Sequence, residues 1–120
     1  MNKESAMPLQ SSVAVDADFF IKHARVGAIV NDGSMSARVT KKRFVEANDS
    51  RIFVEIGFDS DVTYKTSQSI SNQEYAPLLA VGDHLIKKEG TTMIVRSVLY
   101  KKKENGEWDI FIAWDVTSVN

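Results

Sequence analysis

The stretch TTMIVRSVLYKKKENGEWDIFIAWDVTSV, residues 91–119, sets two runs of alternating apolar and polar residues around Glu104-Asn105-Gly106. Successive strand residues point to opposite faces, so alternation marks a strand with one buried face. In the second run Trp108, Ile110, Ile112, Trp114 and Val116 share a side, with Asp109, Ala113 and Asp115 opposite. Asn-Gly between such runs is the strongest short-range hairpin signal, and it predicts a two-residue turn with positive φ. The expected unit is a β-hairpin whose tryptophan face is buried and whose aspartate face meets water or a partner.

Upstream of this pair the same period of two recurs. RIFVEIGFD places Ile52, Val54, Ile56 and Phe58 on one face, and VTYKTSQSI repeats the scheme with Val62, Tyr64 and Thr66. RVGAIVN aligns Val26, Ala28 and Val30 before an Asn31-Asp32-Gly33 turn, and SMSARVT follows with Met35, Ala37 and Val39 in phase. KKRFVEANDS, residues 41–50, reads as a projecting loop between strands that ends in an Asn-Asp-Ser turn. Asp16 and Asp18 precede FFIKHA, which permits one or two capped helical turns or an extended lead-in to a strand.

Between these runs lies YAPLLAVGDHLIKKEG, residues 75–90. Pro77 fixes its own φ and keeps Ala76 out of helical geometry, leaving room for a single turn over PLLA that sends Leu78 or Leu79 inward. Gly82-Asp83 bends the chain again into a strand at His84–Lys87, and Glu89-Gly90 closes a further hairpin. A phosphate cradle needs several glycines, a lysine and a hydroxyl in one compact run, and one Gly-Asp does not supply them. The segment therefore reads as a corner of a small barrel. Six or seven short strands with turns every 8 to 12 residues, roughly the spacing of sandwiches and small barrels, predict an all-β, small antiparallel barrel or sandwich with one short helix. Residues 1–14 carry no periodic face and read as a flexible N-terminal arm ahead of a single domain over 15–120.

Composition narrows the chemistry. The chain has 120 residues, no cysteine and a formal net charge of −1. Disulfide frameworks and thiolate catalysis are excluded, and no overall basic bias points to nucleic acid. No apolar run approaches the roughly 20 residues of a membrane helix, and the first residues lack a signal-peptide core, so a protein made in the cytosol with no membrane partner is expected. His23 and His84 stand apart from any zinc-ligand spacing, and Asp59 and Asp61 lack the remaining residues of a calcium loop. No serine sits in a nucleophile elbow. Neither a cofactor nor an enzymatic activity is expected. The remaining candidates are basic: Lys41, Lys42 and Arg43, and Lys101, Lys102 and Lys103, with Phe44, Tyr100 and Trp108 nearby. Such runs dock an acidic protein surface, touch nucleic acid on an OB- or SH3-like module, or simply keep strand edges soluble.

One ordered set of features goes further. An extended Tyr64–Gln68 segment is followed by the Pro77 and Leu79 turn, then Val81-Gly82-Asp83-x-Leu85 and Gly90. After these come Val95-x-x-Val98, the Gly106 hairpin and the closing Trp108–Val116 strand. Over residues 62–117 this order resembles the small β-barrel head–tail joining (stopper or neck) proteins of lambda-like tailed phages. The resemblance implies a non-enzymatic structural protein that self-associates into a ring in the virion neck after assembly in the host cytoplasm. It implies portal or adaptor and tail proteins as partners, with passive contact to DNA in the channel.

Overall fold

In a computed structural model describing residues 10–118, the chain begins its regular structure at Asp16. The Asp16 carboxylate accepts the Phe19 N–H at 2.8 Å and caps helix α1, Ala17–His23. Of the two readings open for this segment, the helical one holds. Residues 1–9 of the expected arm lie outside the described residues; residues 10–14 are exposed and without regular structure. A short ribbon follows, β1 (Ile29–Asn31) and β2 (Ser36–Arg38), turned by Asp32, whose carboxylate accepts from Ser34 and Met35.

The main sheet has six strands: β3 (Lys41–Glu46), β4 (Ile52–Gly57), β5 (Thr63–Lys65), β6 (His84–Ile86), β7 (Thr92–Lys102) and β8 (Trp108–Ser118). Their order is β5-β4-β3-β6-β7-β8. All-β is the framework, yet the sheet remains open, with β5 and β8 as its edges, so the expected barrel does not close. One pair is not antiparallel either: β6 runs parallel to β3, placing Phe44 beside Leu85. A parallel neighbour needs a crossover, and the chain supplies it through β4, β5 and helix α2, Asn72–Leu78.

Among the described residues two helices form where one was expected, and α2 does not start at Pro77. Ser71 caps it at the other end: its hydroxyl accepts the Glu74 N–H at 3.2 Å while Glu74 Oε1 accepts the Ser71 N–H at 2.9 Å. This is a capping box, written in the sequence as Ser-Asn-Gln-Glu. Pro77 is accommodated in the last turn, and both Leu78 and Leu79 are buried.

The core lies on one face of the sheet, where Phe44, Val54, Ile56, Leu85 and Val95 meet Ile21 of α1, Leu78 and Leu79 at the end of α2, and Val30 of the ribbon. The Gly82-Asp83 corner holds this arrangement together. Gly82 takes φ +92°, donates its N–H to Val95 O at 2.9 Å, and Val95 N–H returns to Asp83 O at 2.9 Å. The buried Asp83 carboxylate accepts the Ala80 N–H at 2.9 Å, so the bend is structural.

Candidate docking surface

β7 and β8 are each eleven residues long, far longer than their neighbours. β6 pairs only with Thr92, Met93 and Ile94, so the sheet ends where most of β7 still lies ahead. At that point a bulge lifts Arg96 out of register between Val95 and Ser97. Bulges sharpen twist and re-aim a strand. From Ser97 to Lys102, paired with Ala113 to Trp108, the hairpin extends as a two-stranded ribbon of about 20 Å. The radius of gyration, 17.5 Å, exceeds the roughly 13–14 Å of a compact chain of this size.

Register sorts the ribbon's side chains. Val98, Tyr100 and Lys102 face the same way as Ile112, Ile110 and Trp108, continuing the core face. Leu99 and Lys101 share the other face with Phe111 and Asp109. Burial decays outward along the first face: Trp114 and Ile112 pack against the core, but Trp108 is 59% exposed and Tyr100 57%. The expected burial of Trp108 and Val116 with the rest of their face is corrected: Trp108 stands on the ribbon beyond the core, and Val116, at the body end beside Met93, lies on the edge strand with no further strand beyond it among the described residues. On the second face Leu99 is 56% and Phe111 51% exposed. A two-stranded ribbon that is apolar on both faces leaves apolar surface in water with nothing behind it.

The tip is also not the expected two-residue turn. Lys103 N–H donates to Glu107 O at 2.7 Å, Gly106 N–H donates to Lys103 O at 3.1 Å, and only Gly106 takes positive φ, +91°. This is a three-residue loop with glycine in the bulge position, which preserves the hairpin but shifts its closing pair.

The six basic candidates separate into two groups of different character. KKRFVEANDS does not project. Its first six residues are β3, a central strand, and alternation carries Lys42 to the core side with Phe44. Lys42 is 2% exposed, and its ammonium donates to the carbonyl oxygens of Lys22 and Ala24 at the end of α1, the latter at 2.9 Å. Burial pushes its pKa down to about 8, opposed by the Asp83 carboxylate and reinforced by Arg25. Lys42 cannot dock a partner. Arg43 is held by Glu55 at 2.6 Å on the outer sheet face, which leaves Lys41 as the exposed member of the trio.

The second trio sits on the ribbon, and acids answer it there. Lys101 pairs in register with Asp109, and Lys103 lies 3.6 Å from Glu107 and 3.7 Å from Asp109. The Lys102 ammonium stands 6.0 Å over the Trp108 ring. At the bulge Arg96 lies 3.7 Å from Asp115. The charges are sorted by strand: β7 carries Arg96, Lys101 and Lys102, and β8 carries Asp109 and Asp115. The sequence places Asp109 and Asp115 on a face that meets water or a partner, as found, but its basic runs draw the reading to the lysines and away from Leu99 and Phe111. The available signal was the Ile110-Phe111-Ile112 run, which breaks alternation and makes both faces apolar.

His23 stacks on Phe19 with ring centroids 4.0 Å apart, and His84 stands beside Arg43 on the sheet's outer face. Among the described residues no cluster of His, Asp or Glu has the grouping of a metal site, and no helix is long and apolar enough to cross a membrane. No family model, no curated protein and no solved structure matches this chain.

Proposed function

We propose that this protein is a structural component of the neck of a tailed bacteriophage, joining the DNA-filled head to the tail as an oligomeric ring. The observation that carries the reading is the β7–β8 ribbon, which reaches past the core with exposed Tyr100 and Trp108 on one face and Leu99 and Phe111 on the other. Such a surface is costly in a free monomer and is accounted for if assembly covers it. The ordered features of residues 62–117 that resemble head–tail joining proteins point the same way. Portal or adaptor and tail proteins are the partners this reading implies, and the virion neck is its location.

Binding of the purified chain to DNA-filled heads and to tails, followed by an in vitro joining reaction, tests the proposal. Stoichiometric binding and restored joining of heads to tails is the expected result; no binding to either particle overturns it. The rival reading, an OB- or SH3-like nucleic-acid module, draws less support because five of the six candidate cations are buried, ion-paired or held beside an acid or an aromatic ring. Binding to single-stranded DNA that falls steeply with salt would favour that rival.

A further inference from the structure

Resting on the assembly reading above, we infer that the β7–β8 ribbon is a head-to-tail interface between copies of this chain, with β8 of one copy adding to the free edge of β7 in the next. Both edges of the ribbon are open. Among the described residues β8 closes the sheet with no strand beyond it, and β7 is unpaired on the side away from β8 from Arg96 to Lys102. An open edge is a row of unsatisfied N–H and C=O groups that templates another strand.

Charge selects the occupant and the arrangement. β7 is basic through Arg96, Lys101 and Lys102, and β8 is acidic through Asp109 and Asp115. A symmetric pairing of β8 with β8 brings two acidic edges together, and β7 with β7 brings two basic ones. Pairing β8 with the next copy's β7 sets unlike charges against each other. Within the chain Lys101 is in register with Asp109 and Arg96 lies 3.7 Å from Asp115. If copies are related by rotation about an axis along the ribbon, equivalent strands stay co-directed, so β8 meets the next β7 antiparallel and at the same level. Each aspartate then gains a second cation from its neighbour. The apolar side chains on both faces come into contact with those of adjacent ribbons. A different edge on each side makes the contact heterologous, and repeated rotation closes it into a ring.

The test uses the full-length chain and two exposed-charge variants, Asp109→Lys/Asp115→Lys on β8 and Arg96→Glu/Lys101→Glu on β7, with mass measured by sedimentation velocity across concentration. The wild type is expected to form discrete oligomers that weaken as ionic strength rises. Each variant alone needs on the order of tenfold or more higher concentration to assemble, and mixing the two restores assembly. Unchanged far-UV circular dichroism in each variant, with a melting temperature within a few degrees of the wild type's at a concentration where both are monomeric, shows that the substitution acts on association and not on folding. Symmetric pairing predicts instead that each variant assembles like the wild type, since like charges are exchanged for like charges. That outcome overturns the inference, as does a wild type that remains monomeric at every concentration. Neither outcome removes the joining reading, which stands or falls on the heads-and-tails reaction, whereas failed joining with intact head-to-tail oligomers removes that reading alone.

Discussion

A single lysine shows how far residue type can mislead. Lys42 belongs to a basic triplet that reads as a surface loop, yet the even-numbered phase of β3 sends it inward with Phe44. Its ammonium is tolerated there because the carbonyls of Lys22 and Ala24, left without helical partners at the end of α1, accept its protons. Burial leaves its pKa at about 8 in the folded chain, below the 10.5 of the free side chain. Between those two values the unfolded chain holds the proton and the folded chain does not. Stability from this group therefore rises as pH climbs from about 8 to 10.5, as the cost of a buried charge is relieved. Lys42→Met removes that titration along with the two carbonyl bonds. Thermal melts of both proteins from pH 7 to about 10 should show the wild type gaining on the variant above about pH 8. A constant difference across that range would mean the ammonium titrates as it does in the unfolded chain.

Elements were legible where one rule governed them and obscure where two competed. The strand over Ile52–Gly57 follows from alternation alone, and the Asp16 cap from a carboxylate ahead of apolar residues. α2 was obscured because Pro77 drew attention from Ser71 and Glu74, whose spacing carried the start of the helix. Ser71→Ala removes half of the capping box and is expected to cost about 1 kcal/mol in urea unfolding. The parallel β3–β6 pair was beyond reach for a different reason: a period of two reports which side chains are inward, never which strand lies alongside. Nor does it report where a core stops. Trp114 and Trp108 share a face, but Trp114 packs on the core and Trp108 stands out on the ribbon. Trp114→Ala should cost on the order of 2–3 kcal/mol, less than for a fully enclosed tryptophan, while Trp108→Ala should stay within about 0.5 kcal/mol. Equal losses in denaturant unfolding would place the ribbon against the body instead of beyond it.

At the scale of the whole molecule, stability and the proposed function draw on different parts of the chain. The open sheet, the two helices and the β1–β2 ribbon bury a core that runs from Ile21 to Val95 in sequence. Nothing before Asp16 enters it among the described residues, and residues 10–14 are exposed, Val13 at 84%. Deleting residues 2–14 is expected to leave the melting temperature within a degree or two, since residues 10–14 are exposed and unpacked and the sequence of residues 1–9 carries no periodic apolar face. The same deletion is expected to impair joining of heads to tails. Exposed Val13 gains only if assembly covers it, and the entropy of ordering such a segment is offset only by burial against another surface. A melt of the truncated protein beside the joining reaction separates the two roles. An unchanged melt with lost joining assigns the arm to assembly, full joining removes it from the mechanism, and a lowered melt ties it to the fold. The charge variants of the β7–β8 ribbon supply the complementary comparison, because they alter association while leaving residues 2–14 in place.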